Sequence, residues 1–365
     1  MKYSVIIPFH SNENLLTMCI TALSKALDFS ESEIIVIDNN AVGSQIPPSV
    51  RKEFGCRIIE RTENLMYPSA INLGAEYARG SYLIFCDADT CVTVDFLPPL
   101  IRALGNDNVG YACARLLNMR TNNILEFGIT SSYYNFPHPF AGRSQDFPLA
   151  ASDHFPLAAC AACSAIKRKR FLDFDGFDEE LVHSYSDIDL CLRLSDRGYR
   201  TACVADARVY HRGSSTIGSG MGESLKEDTK GIFSAKHPHI PIHISEYLES
   251  ACQYFLSCNR LRDRHYFILD CSTIGNPSLY IDFVSDMLEL KPTLKHRRPY
   301  AERDAGHIDL LDFIPHTIRN YKVPIFYFVD NFLSLQGNEL WKLCRDDFED
   351  IVLDRHANIE LLRNI

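Results

Sequence analysis

The amino-acid sequence predicts an α/β fold, a sheet with crossover helices followed by a mainly helical extension, and three observations lead there. Short apolar strands alternate with amphipathic helical segments over the first hundred residues. Three of these strands end in polar clusters, which is how an open α/β sheet presents a ligand at its carboxyl edge. From about residue 226 onward helical stretches dominate.

Each element follows from its residues. Tyr3 to Pro8 (YSVIIP) reads as a buried strand. Ser11 or Asn12 can cap the next helix, in which Leu15, Leu16, Cys19, Ile20 and Leu23 recur at helical spacing. Ile34 to Ile37 is the second strand, ending at Asp38-Asn39-Asn40, and Arg57 to Glu60 is a short third. Ser69 to Arg79 reads as a helix, with Gly80 just past its end where left-handed backbone is tolerated. Tyr82 to Cys86 is the fourth strand and runs into Asp87-Ala88-Asp89. In such a sheet Phe9-His10, Asp38-Asn39 and Asp87-Ala88-Asp89 converge on one crevice.

After residue 105 strands broken by polar hairpins take over: Val109 to Leu116, Ile124 to Thr130 and Leu157 to Ile166. They are expected to extend the sheet and wall a second pocket. Asp187 to Arg197 forms a short helix closed by Gly198, and Thr201 to Val204 and Arg208 to His211 give two more strands. The small, glycine-rich run from Gly213 to Gly222 suits a mobile loop. The expected domains are therefore 1–225 and a mainly helical 226–365, with helices at Ile244 to Leu261 and Leu340 to Leu353 and a strand-like stretch at 321–329.

Composition narrows the function. A chain of 365 residues, 46% hydrophobic and 23% charged, is long enough for one large domain plus an extension. A formal charge of -10 argues against nucleic acid as a partner, because that affinity comes from neutralising phosphates with Lys and Arg. Thirteen scattered cysteines and an opening without a signal-peptide pattern lead to the expectation of a cytoplasmic protein. Cys160 and Cys163 have C-x-x-C spacing but no second pair, so they read as core thiols. No apolar run reaches the roughly 20 residues of a spanning helix, so any membrane contact is expected to be peripheral.

Asp87 and Asp89 flank a small residue directly after an apolar strand, which presents two carboxylates together. Hard divalent cations, Mn²⁺ or Mg²⁺, take such oxygens and complete their shell with phosphate oxygens and water. By itself the tripeptide is also an ordinary acidic turn. Ser186-Asp187-Ile188-Asp189 opens a helix and offers a second acidic cluster, although first-turn acids are also favoured by the helix dipole alone. Lys167-Arg168-Lys169-Arg170, Arg260, Arg262, Arg264 and Lys295-His296-Arg297-Arg298 read first as solvated faces, with anionic lipid as the alternative. His237, His239 and His243 lie in a proline-interrupted stretch without matching carboxylates.

Six segments in order, VIIPFHSNENL, IIVIDNN, ENLMYPSAINLGAEYARGSYLIFCDAD, FDGFDEEL, SDIDLCLRLSDRGYR and VYHRGSST, resemble the family 2 glycosyltransferases of the GT-A fold across roughly residues 1–220. The resemblance implies a Rossmann-like mixed sheet and a bacterial polysaccharide-assembly enzyme. It implies that Asp38 accepts a hydrogen bond from the imide of a uracil or thymine base, with Pro8, Phe9 and His10 lining the base and ribose pocket. It places Ala70, Asn72 and Gly74 on a helix packed under the donor, as structural residues. It makes Asp87, Asp89 and His211 the metal ligands and Asp187 the base that takes the acceptor's proton in an inverting transfer. Asp175 and Asp178 would shape the acceptor loop, and Arg212 with its following loop would close over the diphosphate. Ser186 departs from the family, which usually has Glu there.

The expected function is a metal-dependent transfer from a nucleotide-diphosphate donor, a UDP- or dTDP-sugar, to a hydroxyl of a glycan or lipid-linked acceptor. The expected location is the cytoplasm, including the inner face of the plasma membrane, with self-association left open. A sugar nucleotidyltransferase is the rival enzyme, disfavoured because no glycine-rich phosphate loop follows the first strand. A non-catalytic nucleotide-sugar or glycan-binding scaffold is the other rival.

Overall fold

A computed structural model describes residues 1–39, 46–47, 50, 54–132, 135–182, 184–213, 221–259, 265–270, 272, 278–297, 324–332 and 349–364. The chain forms two compact units: Met1–Ile129 with Ser144–Ile240, and Thr130–Arg143 with Pro241–Ile365.

The first unit begins with the expected alternation. β1 (Tyr3–Phe9), α1 (Glu13–Ala26), β2 (Ser32–Asp38), β3 (Arg57–Glu60), α2 (Met66–Tyr77) and β4 (Tyr82–Cys86) follow one another. Asn12 is the cap of α1: its side chain accepts the Leu15 N–H at 3.3 Å, and Leu16, Cys19, Ile20 and Leu23 form the buried stripe. β1 pairs in parallel with β2 on one side and β4 on the other. Every residue of β2 is buried, as a sheet covered on both faces requires. Gly80 does not cap α2, which ends at Tyr77. A Cβ at Gly80 would lie 2.6 Å from the Ser4 backbone nitrogen, so close approach to β1, rather than left-handed geometry, demands glycine there.

The remaining elements are β5 (Thr90–Val92), α3 (Leu97–Leu104), β6 (Val109–Asn118), β7 (Ile124–Glu126), β8 (Cys163–Lys167), α4 (Arg168–Asp173), α5 (Ser186–Ser195), β9 (Arg200–His211) and α6 (Met221–Lys236). Among the described residues one sheet runs β3-β2-β1-β4-β8-β6-β9-β5, with β7 on β6. β8 lies antiparallel between β4 and β6, and β6 is parallel to β9. The strand expected from Leu157 begins only at Cys163, and 157–162 is an irregular strap. Its Ala162 carbonyl accepts the Asp87 N–H at 2.8 Å, just past the end of β4. The two strands expected at 201–204 and 208–211 are one, β9, with a register irregularity opposite Ala114 and Arg115. Gly198, at φ 82°, closes α5 as expected.

The second unit differs from the mainly helical extension expected for 226–365. Besides α7 (Ser245–Cys258) and α8 (Ser278–Met287) it contains β10 (His265–Asp270), β11 (Lys291–Arg297), β12 (Ile325–Val329), β13 (Ile351–Asp354) and β14 (Ile359–Leu361). They form one sheet, β11-β10-β12-β13-β14, parallel except for β14. IFYFV and IVLD are wholly buried runs of four or five residues, too short and too uniformly apolar for periodicity to separate strand from helix. The end of the helix expected at Leu340 to Leu353 is thus strand β13, while 340–348 lies outside the described residues. The division falls at 240/241 rather than 225/226. The 130–143 segment joins this unit through Asn358 Nδ2 on the Ala141 carbonyl (2.7 Å) and the Arg143–Glu360 ion pair (3.1 Å). No helix among the described residues is long and apolar enough to cross a membrane.

Candidate active site

Parallel pairing sets the carboxyl edge of the sheet. Phe9 and Asp38 are register partners at the carboxyl ends of β1 and β2, and the Asn39 N–H donates to the Phe9 carbonyl at 2.8 Å. Asp38 is fully buried, and Asn39 is buried with its Oδ1 lacking a hydrogen-bond partner. Of the three residues expected to line a base pocket, Pro8 is half-buried and His10 exposed. Phe9 is 2% exposed and packs in the core with Val5 and Ile7, because alternation along β1 sends these three side chains to one face. Asn40 lies outside the described residues.

Asp87-Ala88-Asp89 links β4 to β5, and the turn is held by the Thr90 hydroxyl on the Asp87 carbonyl at 2.7 Å. β5 pairs antiparallel with β9 so that Thr90 faces His211, which brings a residue 122 positions away beside Asp89. His211 Nε2 stands 3.0 Å from Asp89 Oδ1 and 3.9 Å from Asp87 Oδ2. Among the described residues these three form the one His/Cys/Asp/Glu trio arranged to hold a metal, with ligand atoms within 4.8 Å of one another. Burial, with the Asp89 charge added and the His211 charge opposing, pushes Asp87 up to about 7. Burial pulls His211 down, but the Asp89 hydrogen bond and both aspartate charges outweigh it and raise its pKa. Asp87 Oδ1 and His211 Nδ1 are buried without partners. Two oxygens, one imidazole and unpaired buried atoms fit a divalent cation such as Mn²⁺.

Asp187 lies in the first turn of α5. Its Oδ1 accepts the Ile188 N–H at 2.9 Å and its Oδ2 the Ala161 N–H at 3.3 Å, while burial raises its pKa. A cavity of about 110 Å³ holds Asp87 and Asp187 in one wall set with Tyr67, Cys160, Ser184 and Ser186. Two residues in left-handed backbone, Met66 (φ 59°) and Tyr185 (φ 72°), directly precede Tyr67 and Ser186. Such strain in non-glycine residues gathers where a site must be shaped. Tyr67 carried no signal in the sequence, since an aromatic residue at a helix start is unremarkable.

The other motif residues are engaged within the fold. Asn72 donates through Nδ2 to the Phe177 carbonyl (2.8 Å) and Glu179 (2.9 Å) and accepts the Phe177 N–H (2.9 Å). A Cβ on Gly74 would sit 2.4 Å from Ile6 Cγ2. Asp189 is paired with Arg193 at 2.7 Å and His237 at 2.8 Å, and Asp178 and Glu180 with Lys236. Asp175 takes φ 58° in the turn before Gly176. Arg79 is exposed, and its N–H is held by Glu33 near the amino end of β2, so it sits at the edge opposite the site. The basic run is engaged locally: Lys167 with Asp107, Lys169 with Asp173, Arg168 with the Ala75 carbonyl and Arg170 with that of Val109. His243 bonds Thr130 at 3.2 Å. Residues 214–220, Arg260, Arg262, Arg264 and Arg298 lie outside the described residues.

A mixed sheet with an Asp-Asp-His trio at the carboxyl edge of its parallel strands defines a GT-A type of α/β unit. A structure of GalNAc-T7 with UDP, GalNAc and Mn2+ superposes with a TM-score of 0.50 at 18% identity, covering 80% of this chain and 55% of that one. Residues 4–164 match the model of glycosyl transferase family 2. The O-antigen biosynthesis protein RfbC of Myxococcus xanthus is 26% identical over 225 residues, 59% of this chain and 18% of that protein. The poly(ribitol-phosphate) beta-glucosyltransferase of Bacillus spizizenii is 31% identical over 94 residues, 24% of this chain and 15% of that protein. The chain spans less than a third of the length of the curated relatives it matches.

Proposed function

We infer that the first unit is an inverting, metal-dependent glycosyltransferase that moves a sugar from a UDP- or dTDP-sugar to a hydroxyl of a glycan or lipid-linked acceptor in cell-surface polysaccharide synthesis. The observation that carries this reading is that Asp87, one member of the Asp87-Asp89-His211 trio, lines one small cavity together with Asp187. The trio would hold Mn²⁺ or Mg²⁺, whose charge, when bound, offsets that of the departing nucleoside diphosphate. Asp38 and Asn39 offer a buried carboxylate and an amide oxygen to the imide N–H of a uracil or thymine base. Asp187, with both oxygens held by peptide N–H groups, takes the proton of the attacking hydroxyl, and its burial raises its basicity for that step. Attack from the Asp187 side on a donor anchored at the trio gives inversion. The names of the RfbC and poly(ribitol-phosphate) relatives support a polysaccharide acceptor.

The test is release of nucleoside diphosphate from a panel of nucleotide sugars with Mn²⁺ and glycan acceptors. One donor should be consumed in a metal-dependent way. A panel left intact with every acceptor would sink the transferase reading, and donor binding without consumption would favour the scaffold.

A further inference from the structure

The turn that carries Asp187 is gripped from outside by the carboxyl end of α6. Within α5 the Asp189 N–H donates to the Tyr185 carbonyl at 2.8 Å, which closes one helical turn around Ser186, Asp187 and Ile188. Both ends of that bond are held. At one end the Tyr185 ring stacks on Phe233 of α6, with centroids 4.8 Å and planes 20° apart. At the other end His237, the residue after α6, places its Nε2 2.8 Å from Asp189 Oδ1. Its own N–H donates to the Phe233 carbonyl at 2.9 Å, so the two gripping residues sit one helical turn apart.

Burial shows which of these contacts matter. Lys236 is exposed, and its pairs with Asp178 and Glu180 add little. Phe233 and Asp189 are each 2% exposed. Each Asp189 oxygen has its own partner: Oδ2 takes Arg193, which also donates to the Gly176 carbonyl at 2.8 Å, and Oδ1 takes His237. A carboxylate buried to this degree depends on keeping such partners. Tyr185 holds left-handed backbone at φ 72°, a conformation that persists in a non-glycine residue only where its surroundings enforce it. The stack on Phe233 is part of that enforcement. The sequence offers His237 no matching carboxylate nearby, and Asp189, 48 positions upstream, is the one the fold provides. Phe233 and His237 both lie beyond residues 4–164, the segment the family model matches.

We propose that Phe233 and His237 are positioning residues for the transfer, clamping the Tyr185–Asp189 turn at both ends so that Asp187 stays in the cavity it shares with Asp87. The clamp acts on the α5 turn, so loosening it slows chemistry while the donor still binds. Small displacements of a reacting group are enough for this, since about 1 Å can cost about a hundredfold in rate.

This inference rests on Asp187 being the base, and the experiment separates the two. With the donor identified by the panel and Mn²⁺ present, turnover at saturating substrates, donor affinity and melting temperature are measured for wild type, His237→Ala, His237→Gln, Phe233→Leu, Asp187→Asn and the double variant His237→Ala/Asp187→Asn. His237→Ala should lose about tenfold in turnover, with donor affinity changed less than about threefold. Gln, whose amide N–H can serve the same Asp189 oxygen, should recover turnover to within about threefold of wild type. In the Asp187→Asn background His237→Ala should cost less than about twofold more, because it acts through that carboxylate, whereas a purely structural role would cost the same in both backgrounds. Full turnover by His237→Ala, donor affinity falling in step with it, or an undiminished loss on top of Asp187→Asn overturns the proposal. Phe233→Leu keeps an apolar side chain in place without the stack, carries the same expectations, and decides the matter if His237→Ala fails to fold. Turnover unaffected by Asp187→Asn removes the base reading itself, whereas a slow Asp187→Asn beside fully active His237→Ala and Phe233→Leu removes only the clamp.

Discussion

Replacing Asp187 by Asn separates catalysis from architecture because the structure lets both effects be sized. The carboxylate accepts two peptide N–H groups, Ile188 on Oδ1 at 2.9 Å and Ala161 on Oδ2 at 3.3 Å. Asn keeps one acceptor and turns an NH₂ toward the other N–H, so one hydrogen bond of modest length is lost, about 1 kcal/mol. For a unit of this size that lowers the melting temperature by roughly 2–4 °C. Loss of a general base costs about 10²- to 10⁴-fold in rate, or about 3–5 kcal/mol in barrier. The substitution breaks no hydrogen bond to Asp38, Asp87 or Asp89 and only removes a like charge near Asp87, so donor affinity should change by no more than about threefold. Diphosphate release gives the rate, calorimetry the donor affinity and a thermal melt the stability. A rate within tenfold of wild type, or affinity falling in step with the rate, would refute the assignment.

Asp89→Ala removes one ligand and the hydrogen bond to His211, so the metal-dependent part of donor binding should vanish; calorimetry with Mn²⁺ and with EDTA should then give equal affinities for the variant. In the metal-free protein Asp87 sits near 7, above its ordinary 3.8. Its protonated form therefore favours the fold at low pH, and that contribution is lost as pH rises from about 4 to 7. A cation needs the carboxylate, so Mn²⁺ affinity should climb through pH 7 and level off above it, and a flat titration between pH 6 and 8 would count against the site. Asn72→Ala strips Phe177 of partners for both its N–H and its carbonyl, about 2–5 kcal/mol, and should lower the first melting transition by roughly 5–15 °C. If it spared stability and abolished turnover, Asn72 would be a site residue after all.

The first ninety residues were legible because they are local. Apolar runs such as YSVIIP and IIVI carry the strand signal within themselves, and parallel pairing must then bring Phe9, Asp38 and Asp87 to one edge. The acidic turn stood out for the same reason, residue type next to a recognisable element, whereas the first-turn Asp187 drew its role from the resemblance. His211 needed the resemblance, since only the β5–β9 pairing places it against Asp89, across 122 residues of chain. The second unit was misjudged where it is most buried, because IFYFV and IVLD lack the alternation that marks a half-exposed strand. Tyr67 left no pattern at all. Its partner is the Ala161 carbonyl of a strap that comes from elsewhere in the chain, and only packing brings the two together. The sequence by itself determined the sheet edge and the acidic turn, because these follow from local hydrogen bonding and burial. Tertiary structure decided the third member of the Asp-Asp-His trio, the cavity shared by Asp87 and Asp187 and the second α/β unit, because each depends on pairings between segments far apart along the chain.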